Sequence, residues 1–148
     1  MSVTISADNS PLKVEEFDCQ CLIYEPYGLH HGNPSCKECN GTGQIKFSTP
    51  QYEIQFSNTN FYSIMEMLGY EEMDCCGAME HAKLGDFRQR VMRAFNSARQ
   101  RTKAVRETVV DGNITYGGLS DQSIMDRLLY LDEVLQWAQK NNQRITWG

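Results

Sequence analysis

The 148-residue chain lacks any long apolar run, and this absence excludes a membrane-spanning helix. Its longest apolar stretches are a few residues, whereas a helix that crosses a bilayer needs about 20. The first ten residues, MSVTISADNS, lack a charged region followed by an apolar block, so no secretion signal is indicated. We therefore expect a soluble protein of the cytoplasm that has no membrane partner.

Positive charge is also scarce overall. Fourteen Lys and Arg residues stand against nineteen Asp and Glu residues, giving a net charge of −5. A generally basic surface for nonspecific attachment to nucleic acid is excluded, although a local basic surface is not. The chain also lacks HExxH, H-x-E paired with P-C-x-x-C, a phosphate-binding loop and a nucleophile elbow. We therefore expect a protein that is not an enzyme, and we assign no catalytic residue.

Cysteine, by contrast, is plentiful, with six in a chain for which we expect no secretion signal. Four of them form two close pairs, Cys19-Gln20-Cys21 and Cys36-Lys37-Glu38-Cys39, separated by 14 residues. Two such pairs at chain turns suit a tetrahedral Zn²⁺ held by four thiolates. We predict structural Zn²⁺ bound by Cys19, Cys21, Cys36 and Cys39, which would order residues 17–44, a segment with too little apolar surface to fold without a staple.

Two alternatives remain open for this cluster. The four cysteines could be buried as small apolar side chains, or they could form disulfides. Because the first pair has only one intervening residue, His30 or His31 could replace one of its cysteines as a ligand. In the metal interpretation, Gly41 and Gly43 let the backbone turn tightly beneath the ion and leave N–H donors for the sulfurs.

Cys75 and Cys76 stand apart from the two pairs. They precede a predicted helix, and we expect them to pack at its beginning. A reactive thiol, with its pKa lowered by the helix N-terminus, and an additional zinc ligand are the alternatives.

The rest of the pattern predicts an α+β fold, in which a small antiparallel sheet packs against about three α-helices. The first part, residues 1–57, combines a peripheral arm or edge strand at Val3–Ile5, the zinc-stapled loop, and two strands within 44–57 joined by a turn at 48–50. The second part, residues 58–148, is predicted to be mainly helical and to form one compact unit.

The sequence of this second part predicts three helices and a hairpin. One helix is expected after Asn58 or Asn60 and ends at Gly69, a second runs over 80–106, and a third begins at Ser120 or Asp121. A β-hairpin is predicted near 108–116 and an extended segment over 144–147. In the third helix, the leucine-rich stripe from Ile124 to Leu135 could serve the core or a homodimer.

The second predicted helix is strongly basic. Seven basic residues and no acidic one lie between Phe87 and Arg106, and they carry half of the positive charge of the chain: Arg88, Arg90, Arg93, Arg99, Arg101, Lys103 and Arg106. They flank an apolar stripe, so they would form an outer face that can bind phosphates or an acidic protein surface. The alternative is a solvated face neutralised by the acidic runs at 15–16 and 71–74.

The second cysteine pair and its glycines, CKECNGTG, resemble the CxxCxGxG zinc-binding element of DnaJ-type co-chaperones over eight residues. DnaJ proteins carry four such elements and a J-domain. This chain has one element and no HPD tripeptide, so the resemblance is to a zinc knuckle and not to a chaperone.

The order of motifs over about 110 residues carries a second resemblance. After the CxxCxGxG element come NTNFYSIMEMLGY, a Cys-Gly before the basic helix, a hairpin, a leucine-rich helix and RITWG. This order is similar to that of small uncharacterised proteins encoded by bacteriophages and prophages. The resemblance implies an accessory role without enzymatic activity.

From these features we expect a non-enzymatic protein that acts in the host cytoplasm and binds a host macromolecule. The expected partner is a host protein with an acidic surface or a nucleic-acid-containing complex, as for an inhibitor of a host antiviral defence system. The alternative is a nucleic-acid-binding accessory or regulatory protein that uses the basic helix over 87–106.

Overall fold

The computed structural model describes residues 2–24, 30–108, 115–116 and 119–148. In chain order its elements are β1 (Ser2–Ala7), β2 (Leu12–Asp18), β3 (Ile23–Tyr24), β4 (His30–His31), β5 (Gln44–Pro50), β6 (Glu53–Ser57), α1 (Asn58–Met67), β7 (Gly77–Met79), α2 (His81–Thr108), β8 (Thr115–Tyr116), β9 (Leu119–Ser120), α3 (Asp121–Lys140) and β10 (Ile145–Trp147). Three helices and small antiparallel sheets within these residues make this an α+β fold, as predicted.

The chain divides into two compact units. Pro11–Gln51 forms the first, which we call the ribbon unit, and Met1–Ser10 together with Tyr52–Gly148 forms the second, the helical unit. The division predicted at residues 57 and 58 falls inside the helical unit, because β6 pairs with β1 and leads directly into α1.

β1 lies inside the sheet of the helical unit. This sheet has the order β6-β1-β10-β7, so β1 has a partner on each side. Ile5 is aligned with Ile54 of β6 and with Trp147 of β10. Val3, Ile5 and Ala7 are buried, as alternate residues of a half-buried strand should be. The prediction of a peripheral N-terminal arm or edge strand is therefore wrong.

The two strands predicted within 44–57 do not pair with each other. β5 continues through Pro50 and pairs with β2 in the ribbon unit, aligning Asp18 with Gln44 and Leu12 with Pro50. β6 pairs instead with β1. The predicted turn at 48–50 is therefore wrong: those residues belong to a strand, and the change of direction comes at 51–52.

The helices begin and end close to the predicted residues. Ser57 caps α1, its hydroxyl accepting from the backbone N–H of Asn60, so the cap precedes the two asparagines proposed for it. Gly69 follows α1 with φ of 81°, the left-handed geometry expected of it. Ser120 caps α3 and is one of the two residues predicted to do so.

The core of the helical unit lies between the sheet and the three helices. α2 runs unbroken and packs along α3. The predicted leucine-rich stripe of α3 is buried in this core: Ile124, Leu128, Leu131, Leu135 and Ala138. The stripe is therefore a core feature of the single chain and not an exposed dimer surface.

The C-terminal segment is extended, as predicted, and forms β10. Most of the hairpin predicted near 108–116 lies outside the described residues; within them, β8 pairs with β9. In the part of the chain that the structure describes, no helix is both long enough and apolar enough to cross a membrane.

Candidate metal centre and basic surface

The two cysteine pairs lie at one end of the β2–β5 ribbon. Cys19 follows β2 directly, and the turns that contain Cys36 and Cys39 lead into β5. Because Asp18 is aligned with Gln44, the ribbon brings the two pairs side by side. All four sulfurs lie within 4.8 Å of one another, and among the described residues they form the group that could hold a metal ion.

The distances between the sulfurs are those of separate thiols. Cys19 Sγ lies 3.7 Å from Cys36 Sγ, and Cys21 Sγ lies 3.3 Å from Cys39 Sγ. None of the four is in a disulfide. Cys19 and Cys39 are buried, whereas Cys21 and Cys36 are partly accessible. The cluster can hold a metal ion, as the pair spacing predicted.

Backbone N–H groups surround the sulfurs. Gly41 and Gly43 have φ of 82° and 78°, and their N–H groups donate to the sulfur of Cys39, as the sequence predicted. The Cys19 N–H donates to the carbonyl of Gly43 at 2.8 Å and ties the first pair to this turn. N–H donors of this kind stabilise a thiolate, the form in which cysteine binds metal.

The pKa values of the cysteines show how strongly the sulfurs interact. Burial raises the pKa of Cys39, but donation from the Cys21 thiol and from two glycine N–H groups lowers it to about 6. The Asn33 N–H lowers the pKa of Cys21, but burial and the neighbouring cysteines raise it to about 12. Ionising one thiol therefore opposes ionisation of the next, and four adjacent thiolates need a cation to balance their charge.

Sequence reasoning missed Asn33 as a positioning residue. Its N–H donates to the sulfur of Cys21. Its carbonyl accepts from the N–H of Cys36 at 2.9 Å, and its side-chain oxygen accepts from the N–H of Ser35 at 2.9 Å. Asn33 thus connects the two cysteine pairs. The Gly-Asn-Pro sequence at 32–34 marked a turn, but not its contact with the distant first pair.

His30 and His31 form β4, but their side chains lie outside the described part of the chain. Replacement of a cysteine by either histidine therefore stays a prediction that the structure does not test.

Cys75 and Cys76 do not pack at the beginning of a helix. Both side chains are exposed, and a strand, β7, follows them before α2 begins. That prediction is wrong because Gly77–Met79 pairs with β10 instead of entering the helix. Among the described residues, neither cysteine joins a group of three or more metal ligands.

Three arginines of the basic helix make ion pairs within the fold. Arg88 donates from Nε and Nη2 to the two carboxylate oxygens of Asp132 at 2.8 and 3.1 Å, which raises the pKa of its guanidinium. Arg90 contacts Asp86, and Arg101 contacts the buried Asp121. These side chains connect α2 to its neighbours or stabilise its surface.

Arg93 and Arg99 differ from these three. Both are exposed, and neither forms an ion pair with a described residue. The side chains of Lys103 and Arg106 lie outside the described residues. The seven basic residues thus include at least three with structural partners and two with charge directed to solvent.

The ribbon unit carries exposed apolar side chains that the sequence did not single out as a surface. Leu12, Val14, Phe17 and Phe47 are each more than half exposed, and the two phenylalanine rings meet edge to face at 5.9 Å. Of these four residues, only Phe47 lay in a strand predicted from the sequence, where its alternation with polar residues indicated a half-buried side chain.

No protein-family model, curated protein or solved structure matches the chain.

Proposed function

We propose that the chain is a non-enzymatic binding protein in which structural Zn²⁺ orders the ribbon unit and the basic helix contacts an acidic surface of a partner protein. The observation that carries the binding role is the exposure of Arg93 and Arg99 without an ion pair among the described residues. Arginine suits such a surface because its planar fork of donors matches a carboxylate.

Zinc is the metal that the donor set fits best. Four thiolates at two chain turns are a common structural zinc site, with Zn–S distances of about 2.3 Å in a tetrahedron. That geometry places neighbouring sulfurs roughly 3.8 Å apart. The Cys19–Cys36 and Cys21–Cys39 distances of 3.7 and 3.3 Å are close to this value. Little adjustment of the side chains would bring all four sulfurs to the ion.

A structural role follows from the number of ligands. Four cysteines fill the tetrahedron, whereas a catalytic zinc keeps one position open for water or substrate. The ribbon unit also has few other means of stabilisation, since large apolar side chains on its strands are exposed. Metal binding would therefore supply folding free energy to this unit.

An acidic protein is favoured over nucleic acid by the charge distribution. The whole chain carries −5, which opposes long-range attraction of a partner as densely anionic as nucleic acid more than attraction of a protein with one acidic surface. At least three of the seven basic residues of 87–106 are already paired with carboxylates. The resemblance to bacteriophage and prophage proteins supports a host protein as the partner, bound in the host cytoplasm, with inhibition of an antiviral defence as the expected consequence.

A pull-down from host lysate tests the binding role. We expect the unmodified chain to recover one protein stoichiometrically, and a variant with Arg93→Glu and Arg99→Glu to lose it. The matched control is Lys83→Glu with Lys140→Glu, which changes the net charge equally at two other exposed helix positions. Equal recovery by both variants, or recovery of nucleic acid alone that nuclease removes, would contradict the proposal.

A further inference from the structure

The basic residues of α2 do not form one uniform face. Arg90, Arg93, Ser97 and Arg101 recur at intervals of three, four and four residues, so they lie along one side of the helix over about 16 Å. This side faces the end of α1, and the two together line a cleft of about 420 Å³. Arg99 is not among the residues that line it.

Apolar side chains and arginines line the cleft together. Met67 and Leu68 from the α1 end and Ala94 from α2 line it together with three arginines, and none of the described residues that line it carries a carboxylate. A site of this composition fits a carboxylate beside an apolar side chain, since each would meet a matching surface.

The arginine at the α1 end of the cleft is held in place by its neighbours. Arg90 donates from Nε to Asp86 at 2.8 Å and from Nη1 to the carbonyl of Leu68 at 3.1 Å, and it lies over the ring of Tyr70. Arginine has five N–H donors, and these two bonds leave three. Gly69 permits this arrangement, because a Cβ there would lie 2.9 Å from Arg90 Nη1.

The middle arginine supplies the uncompensated charge. Arg93 is exposed and forms no ion pair with a described residue, whereas Arg90 and Arg101 are paired with Asp86 and Asp121. The single uncompensated charge of Arg93, between two paired arginines, suits one acidic side chain better than a series of phosphates. Binding of nucleic acid depends on the release of many counterions, and one charge would release few.

From this geometry we infer that the cleft between α1 and α2 binds an acidic segment of a partner protein, with a carboxylate at Arg93 and an adjacent apolar side chain on Met67, Leu68 and Ala94. The inference rests on the proposed function and specifies where on α2 the partner is held. It assigns binding of this segment to the side of α2 that lines the cleft, and not to the side that carries Arg99.

Binding of a labelled peptide tests the cleft directly. The probe is a fluorescein-labelled 12-residue peptide of alternating Glu and Leu, followed by anisotropy, with a peptide of alternating Gln and Leu and a 12-nucleotide oligothymidine as comparison probes. We expect the Glu peptide to bind at least about tenfold more tightly than either comparison probe. Absence of binding, or tighter binding of the oligothymidine, would overturn the inference.

A pair of neutral variants locates the site. Ser97→Trp fills the cleft, whereas Asn96→Trp places the same side chain at the adjacent exposed position, which does not line it. We expect Ser97→Trp to lower the affinity for the Glu peptide about tenfold or more, and Asn96→Trp to change that affinity by less than about twofold. Circular dichroism should show that both variants are folded. The outcomes for the two proposals are distinguishable. If Arg93→Glu with Arg99→Glu abolishes capture of the host protein, but Ser97→Trp changes the binding of neither the host protein nor the Glu peptide, the proposed function stands and the cleft assignment fails.

Discussion

Gly32 and Gly43 lie against each other in the ribbon unit, so closely that a Cβ on Gly32 would lie 2.2 Å from the backbone nitrogen of Gly43. Gly43 also donates its N–H to the sulfur of Cys39. The contact therefore connects the turn before the second cysteine pair with the turn after it. The absence of a side chain at Gly32 is a condition for the four sulfurs to meet.

Gly32→Ala should accordingly weaken metal binding. A Cβ must displace the Gly43 backbone and with it a donor to Cys39, and loss of such outer contacts typically reduces metal affinity about 10- to 100-fold. Competition with a chromophoric zinc chelator measures the effect. Affinity equal to that of the unmodified protein would show that the two turns do not depend on this contact.

The buried position of β1 predicts a large cost for truncating Ile5. Ile5→Ala should lower the free energy of unfolding by about 2–5 kcal/mol, because it leaves a cavity in the core. Thr4→Ala, on the neighbouring and less buried residue, is the control and should change it much less. Urea denaturation distinguishes the two. If both substitutions changed the free energy of unfolding equally and only slightly, the result would support the prediction that this segment is a peripheral arm.

The Arg88–Asp132 pair predicts a measurable stabilisation between α2 and α3. Both side chains are mostly shielded, and Arg88 also donates to Gln139 at 3.0 Å. Asp132→Asn should lower the free energy of unfolding by about 1–2 kcal/mol. This is less than the loss expected from breaking a fully buried ion pair, because some solvent reaches Arg88 and Asp132. Asp86→Asn breaks the exposed pair with Arg90 and should shift the urea midpoint much less. The reverse order would contradict this account of the basic helix.

Two glycines of the helical unit should respond oppositely to alanine. Gly85 lies within α2, where a Cβ would make an ordinary contact at 3.6 Å, so Gly85→Ala should stabilise by about 0.5–1 kcal/mol. Gly69 has φ of 81° and lies close to Arg90, so Gly69→Ala should destabilise by about 1–2 kcal/mol. Thermal unfolding of both variants checks the signs, and a shared sign would contradict the prediction.

Local signals explain which parts of the fold could be predicted. The cap at Ser120, the stripe of α3 and the glycine after α1 depend on residues a few positions apart, and each was identified from sequence. The pairing partners of β1 and β5 could not be, because alternation shows which residues face inward but not which strand lies alongside. The pairings of Ile5 with Trp147 and of Phe17 with Ile45 join residues that are far apart in the sequence.

The residues of the candidate site likewise include some that the sequence identified and others that only the structure shows. Cys19, Cys21, Cys36 and Cys39 were identified by spacing, since short pairs at turns present two sulfurs to one ion. Gly32 and Asn33 were not, because their contacts run to residues outside their own turn. For the basic helix, composition gave the seven charges, but only the structure shows that Arg88, Arg90 and Arg101 are engaged while Arg93 is not.

Elemental analysis of the intact protein, purified without chelators, tests the four-cysteine site most directly. The account predicts one zinc per chain, and it predicts loss of that zinc in a variant with Cys21→Ser and Cys39→Ser but not with Cys75→Ser and Cys76→Ser. Less than half a zinc per chain in the unmodified protein, or equal retention in both variants, would contradict it.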